Sequence, residues 1–132
     1  MDRDGVDRWL QAYVHAWKTY DPDQIAALFT EDVRYRYHPY DAPIEGREAV
    51  VRSWLGDNGA PGASTLDEPG TYDASYRVVA VDDRVAVAVG STHYRETADS
   101  VARVFDNCFV MRFDPDGRCG EFTEWYIERP TA

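Results

Sequence analysis

From Thr71 onward the chain reads as four long runs of strand pattern, Thr71 to Val81, Arg84 to Glu96, Val101 to Phe113 and Arg118 to Arg129. Turn-forming residues in "VDDR" and "DPDG" punctuate them. Strands joined by such short connections pair antiparallel, so the second half of the chain is committed to a meander with one apolar face to be covered. Whatever precedes Thr71 has to supply that cover.

The first half has the periodicity to do so. Val6, Trp9, Leu10, Tyr13, Ala16, Trp17 and Tyr20 recur at helical steps and share one face, while His15 lies opposite as a solvated surface group. "DPDQIAALF" opens a second helix, with Asp21 as N-cap, Pro22 in the first turn and Gln24 placed to return the capping hydrogen bond. Val33, Tyr35 and Tyr37 then alternate with Arg34, Arg36 and His38 in strand period until Pro39 and Pro43 end the run. "GREAVVRSWLG" reads as a third helix with Ala49, Val50, Ser53 and Trp54 on one face and Gly56 as its stop. "DNGAPGASTLDEPG" is too rich in Gly and Pro for regular structure and reads as a surface loop or a lid. The order is helices, strand, helix and meander, an α+β layout in one domain spanning residues 1–132.

Charge narrows the partners. A formal net charge of −10, with no Lys/Arg run to offset it, repels phosphate backbones and anionic lipid, so neither nucleic acid nor a membrane surface is expected. No charged-then-apolar leader opens the sequence and no apolar run approaches the roughly 20 residues of a membrane span, which gives the expectation of a cytoplasmic protein. Cys108 and Cys119 have neither Cys-x-x-Cys spacing nor a histidine at ligand distance; they read as reduced thiols, with no metal site.

The last hairpin raises the question of chemistry. A four-residue "DPDG" loop closed by Phe113 and Arg118 pairs Asn107 with Glu124, Phe109 with Phe122 and Phe105 with Tyr126 on one face. It places Cys119 with Asp106, Cys108, Thr123 and Trp125 on the other. A three-residue loop with a bulge at Gly117 would turn one strand over. The first register gathers Phe105, Phe109, Met111, Phe113, Phe122 and Tyr126, and leaves Glu124 beside Asn107 on an aromatic inner face. Such a carboxyl is hydrogen-bonded, wet or protonated with a raised pKa, which suits acid-base work; the alternative is a solvated sheet edge.

The element order, the "PIEGRE" turn and the "VMRFDPDGR" hairpin together resemble the nuclear transport factor 2-like superfamily, in its SnoaL-like and ketosteroid isomerase-like branch. The resemblance spans nearly the whole chain. It implies a cone-shaped, cystatin-like fold in which three N-terminal helices pack on a strongly curved, mainly antiparallel sheet around a deep pocket, and a homodimer through the outer sheet face. It implies no particular reaction, since one scaffold hosts many. Tyr13 matches the oxyanion-stabilising tyrosine of ketosteroid isomerases, but the two essential aspartates fall on Tyr37 and Phe109, and a supporting tyrosine falls on Trp54. The isomerase mechanism itself is therefore not expected.

By the same resemblance Tyr35 and Tyr37 face Tyr13 and Trp17 across the pocket, with Phe122, Glu124 and Tyr126 inward. Strand alternation adds His93, on one face with Val89 and Ser91. Three functions stay open. One is an enzyme without cofactor, with Glu124, His93 and Tyr13 as catalytic groups and Trp17, Tyr35, Tyr37, Trp54, Asn107, Phe109, Phe122 and Tyr126 holding a small apolar or aromatic ligand. It would isomerise, cyclise or dehydrate a ring-bearing oxygenated substrate. The others are a binding module using the same pocket, and an interaction domain whose outward Trp125 marks only a dimer face. His38, before Pro39 at the expected rim, reads as a surface histidine.

Overall fold

The computed structural model describes residues 1–56, 67, 70–97 and 100–130. The expected loop or lid therefore lies outside the described residues, apart from Asp67 and Gly70. Helix α1 (Arg3–Thr19) starts at Asp2, whose carboxylate accepts the Gly5 N–H at 2.8 Å, and ends where Tyr20 turns left-handed at φ 50°. It buries Val6, Trp9, Leu10, Tyr13 and Ala16, and leaves His15 exposed. In α2 (Pro22–Ala27) the Asp21 carboxylate accepts from Asp23 N and Gln24 N, as a cap should. The return bond differs from expectation, because Thr19 stands in between. The Asp21 N–H donates to Thr19 Oγ1 at 3.3 Å, and that hydroxyl donates to Gln24 Oε1 at 2.8 Å. Asp21→Ala should cost about 1 kcal/mol, read as a lower urea midpoint at unchanged slope.

Strand β1 (Phe29–Arg36) pairs with a two-residue strand, β2 (Ile44–Glu45), where the sequence shows only the end of a proline-punctuated turn. Helix α3 (Arg47–Trp54) follows Gly46 at φ 94° and stops before Gly56 at φ 77°, both conformations that favour glycine. Strands β3 (Tyr72–Asp82), β4 (Val85–Thr97), β5 (Ser100–Phe113) and β6 (Cys119–Glu128) fall within a residue of the expected runs. The sheet order is β2-β1-β6-β5-β4-β3, antiparallel throughout except for the parallel β1–β6 pair. Helices α1 and α3 supply Val6, Leu10, Tyr13, Val50 and Trp54 to a core completed by Phe29, Tyr35, Phe109, Met111, Phe113 and Phe122 of the sheet. Among the described residues no helix is long and apolar enough to cross a membrane.

The β5–β6 register lies two residues from the expected one. Asn107 opposes Tyr126, Phe109 opposes Glu124 and Met111 opposes Phe122. A two-residue shift preserves which side chains share a face, so the inner set survives although its partners change. The cause is the turn: Asp114 N–H reaches Arg118 O at 2.9 Å, and a register break follows between Arg112, opposite Glu121, and Phe113, opposite Cys119. That break turns Cys119, expected on the outer face, into the core with no exposed surface. Cys108 stays outside and half-buried, so both thiols are free.

Strand β4 corrects a second expectation. Ala86, Ala88 and Thr92 point inward and are almost fully buried, which turns Val89, Ser91 and His93 to the outer face. Small inward residues leave room for the Tyr76 and Phe109 rings, whose centroids lie 4.6 Å apart over this part of the sheet. The valines cover the outside, so hydropathy alternates in neither direction.

Candidate active site

A cavity of about 780 Å³ opens between the inner sheet face, the C-terminal half of α1 and α3. Its floor follows from the helical step that sets Tyr13 one turn before Trp17 and from the strand step that sets Tyr35 two before Tyr37. Phe122 stacks on Tyr35 at 4.7 Å and 6° and on Tyr13 at 5.7 Å and 18°, with Phe109 tilted against it at 4.9 Å. Phe109 and Phe122, expected to touch a ligand, thus form the layer beneath the tyrosines and do not line the cavity. Sheet curvature lets the larger phenols lie over them.

Burial pushes the Tyr13 and Tyr35 phenols well above the ordinary tyrosine range. The neighbouring phenol, Tyr35 for Tyr13 and Tyr37 for Tyr35, and the Glu124 carboxylate add to it, while a hydrogen bond with Tyr13 offsets part of the rise at Tyr35. Both therefore stay protonated and able to donate. The buried Trp54 N–H has no hydrogen-bond partner of good geometry among the described residues, although it offsets part of the burial effect on Tyr35. Higher on the wall, Tyr37 Oη and Ser53 Oγ share a hydrogen bond of 2.9 Å, and Trp17 Nε1 lies 3.0 Å from Tyr20 Oη and 3.1 Å from Asp67 Oδ2.

A chain of polar side chains runs across four strands, β6, β5, β4 and β3. Asn107 Nδ2 donates to Glu124 Oε2 at 2.8 Å, Thr92 Oγ1 donates to Asn107 Oδ1 at 2.9 Å, and Tyr76 Oη sits 2.7 Å from Thr92 Oγ1. The directions are fixed from one end, because an ionised carboxylate only accepts. Asn107 must then give its amide N–H to Glu124, Thr92 gives its one proton to the amide oxygen, and Tyr76 donates to Thr92. Burial drives the Glu124 carboxyl up to about 7, while the Asn107 donor and the nearby His38 pull it back down. At neutral pH Glu124 is thus poised between acid and base.

Glu124, Asn107, Tyr13, Trp17, Tyr35, Tyr37, Trp54 and Tyr126 all line the same cavity. His93 does not: it lies on the outer face with Ser91 Oγ 3.2 Å from its Nε2, because β4 has the opposite frame to the one expected. Tyr76, Thr92 and Tyr94 also line the cavity, none of them expected from the sequence; the correct β4 frame puts Thr92 and Tyr94 on the inner face, with Thr92 bonded to Asn107 and Tyr76 of β3 bonded to Thr92. His38, expected as a surface histidine at the rim, is joined there by Asp41, with His38 Nδ1 2.9 Å from Asp41 Oδ2 and Nε2 2.6 Å from Tyr126 Oη.

Helices packed against a curved mixed sheet are the nuclear transport factor 2-like fold. Within it the chain belongs to the SnoaL-like domain family, whose profile matches residues 10–122. Solved structures share the fold at low identity. A ketosteroid isomerase candidate from Kribbella flavida DSM 17836 is 18% identical with a TM-score of 0.67, covering 99% of this chain and 84% of that one. An NTF-2-like protein of unknown function from Burkholderia xenovorans LB400 is 16% identical with a TM-score of 0.66, covering 98% and 88%. An LEH-like epoxide hydrolase of M. tuberculosis is 14% identical with a TM-score of 0.62, covering 95% and 84%. No curated protein matches the sequence.

Proposed function

We propose that this protein is a small-molecule enzyme that works by acid-base catalysis on a ring-bearing oxygenated substrate, with Glu124 as the proton acceptor and no cofactor. The observation that carries the reading is the Glu124–Asn107 pair: a carboxyl raised to about 7, oriented by an amide and facing an aromatic cavity. A base of that strength is half-ionised at neutral pH and strong enough to take a proton from carbon beside a carbonyl. Tyr13 and Tyr35 would then donate to the oxygen on which negative charge develops. The stacked rings below them hold these donors rigidly, so little reorganisation accompanies the step. Isomerisation, cyclisation and dehydration all need only such proton transfers.

The same donors could orient a ligand without chemistry, and the two readings part at turnover. The test is a thermal-shift screen with steroids, aromatic polyketides, lactones and epoxides on wild type and Glu124→Gln at two pH values, followed by turnover assays on the hits. The proposal expects hits in both proteins and turnover in wild type alone. Equal turnover in Glu124→Gln would remove Glu124 from the mechanism; binding without turnover in either leaves a ligand-binding module. A homodimer through the outer sheet face fits the exposure of Val85, Trp125 and Ile127 there, and sedimentation equilibrium of wild type against Trp125→Asp tests it.

A further inference from the structure

One base accounts for half of a proton-transfer reaction, and the cavity mouth holds groups that could supply the other half. His38, just past the end of β1, bridges Asp41 and Tyr126 through its two ring nitrogens, at 2.9 Å and 2.6 Å. Its ring also stacks on Tyr40 at 5.0 Å and 12°, which fixes the plane of the imidazole. Tyr126 shares the inner face of β6 with Glu124 two residues away, so the two side chains stand about 7 Å apart. That spacing lets each reach a different atom of one ligand within hydrogen-bond distance. Burial, with Glu124, Tyr40 and Asp41 nearby, holds the Tyr126 phenol above its ordinary range, so it is a donor at neutral pH.

We propose that Tyr126, resupplied by His38 and positioned with it by Asp41, is the second proton-transfer group of this cavity, giving a proton to a leaving oxygen of the ligand as Glu124 takes one from carbon. This rests on the reading of Glu124 as a base. In its protonated form His38 donates from Nδ1 to Asp41 and from Nε2 to the Tyr126 oxygen, which leaves the phenol proton free for the ligand. The step balances. Glu124 takes the C–H proton, the electron pair of that bond moves into the ligand framework and the bond to the leaving oxygen breaks. That oxygen takes the Tyr126 proton, and the His38 Nε2 proton replaces it. Glu124 ends protonated and His38 neutral, and a proton passing between them through water resets both. The substrate class is then a ring compound that loses or opens an oxygen substituent beside an acidic C–H.

Benzisoxazole and its nitro derivative serve as probes. Loss of the C–H proton breaks the N–O bond and forms a nitrile, and the freed phenoxide needs a proton far more in the parent compound than in the nitro one. Tyr126→Phe, His38→Gln and Asp41→Asn should each lower kcat on benzisoxazole, by about 100-fold for Tyr126→Phe, with KM unchanged and the nitro compound slowed less than about 5-fold. Glu124→Gln should abolish both reactions. Equal slowing of both probes, or none, in the three mouth variants while Glu124→Gln is inactive makes the cluster a structural latch between β1 and β6, overturning the relay but keeping the base. Absence of Glu124-dependent turnover of either probe overturns the base and the relay together.

Discussion

Gly90→Ala should destabilise the protein by about 3 kcal/mol or more, seen as a melting temperature lower by about 10 °C. Gly90 sits on the inner face of β4 directly opposite Tyr76 of β3. A Cβ there would overlap the Ser75 carbonyl oxygen and approach Tyr76 Cδ1 to 2.5 Å and Tyr76 Cα to 2.7 Å. Two of these three atoms are backbone, so no rotamer change relieves the contact, and the two strands must move apart. The ring that lies over Gly90 is the one that packs on Phe109 at 4.6 Å and Tyr13 at 6.0 Å and carries its hydroxyl to Thr92. The substitution therefore reaches the site as well as the fold. With Tyr76 displaced, Thr92 loses its donor and the chain that orients Asn107 toward Glu124 is cut at its far end. If Gly90→Ala melts within a few degrees of wild type, the close approach of β3 to β4 is not a constraint on this sheet.

That glycine also shows where the sequence stops being legible. The helix faces, the strand limits and the inward side of β5 and β6 follow from local periodicity, because each depends on residues a few positions apart. Glu124 and Asn107 were visible as neighbours for the same reason: any register that preserves strand parity leaves them on one face, and a two-residue slip merely exchanges a direct pair for a diagonal one. The β4 frame was not visible. Val85, Val87 and Val89 are apolar on the outside and Ala86, Ala88 and Gly90 are small on the inside, so both faces read alike until the rings of Tyr76 and Phe109 are seen filling the space. His93 was misplaced as a consequence. Tyr20, Asp67, Asp41 and Tyr94 meet only because α1, the segment before β3, the β1–β2 turn and β4 converge on one cavity, and no spacing in the sequence encodes that.

Glu124→Gln should make the protein more stable at high pH and leave it nearly unchanged at low pH. The carboxyl titrates near 7 in the folded protein against an ordinary value of 4.5, because burial disfavours its charge more than Asn107 and His38 restore it. Between those two values the folded chain holds a proton that the unfolded chain has lost, so stability falls as pH rises from 4.5 through about 7 and levels off above. The shift corresponds to about 3 kcal/mol. Glutamine keeps the shape and the place beside Asn107 but carries no charge. Subtracting the variant's stability from that of wild type cancels every other titrating group, and the difference should move by about 3 kcal/mol between about pH 4 and about pH 9. Urea unfolding of both proteins across that range measures it. A flat difference would mean that Glu124 ionises as a solvated carboxyl does. It would then be too weak a base at neutral pH to take a proton from carbon, and the aromatic cavity would keep its shape but lose its chemistry.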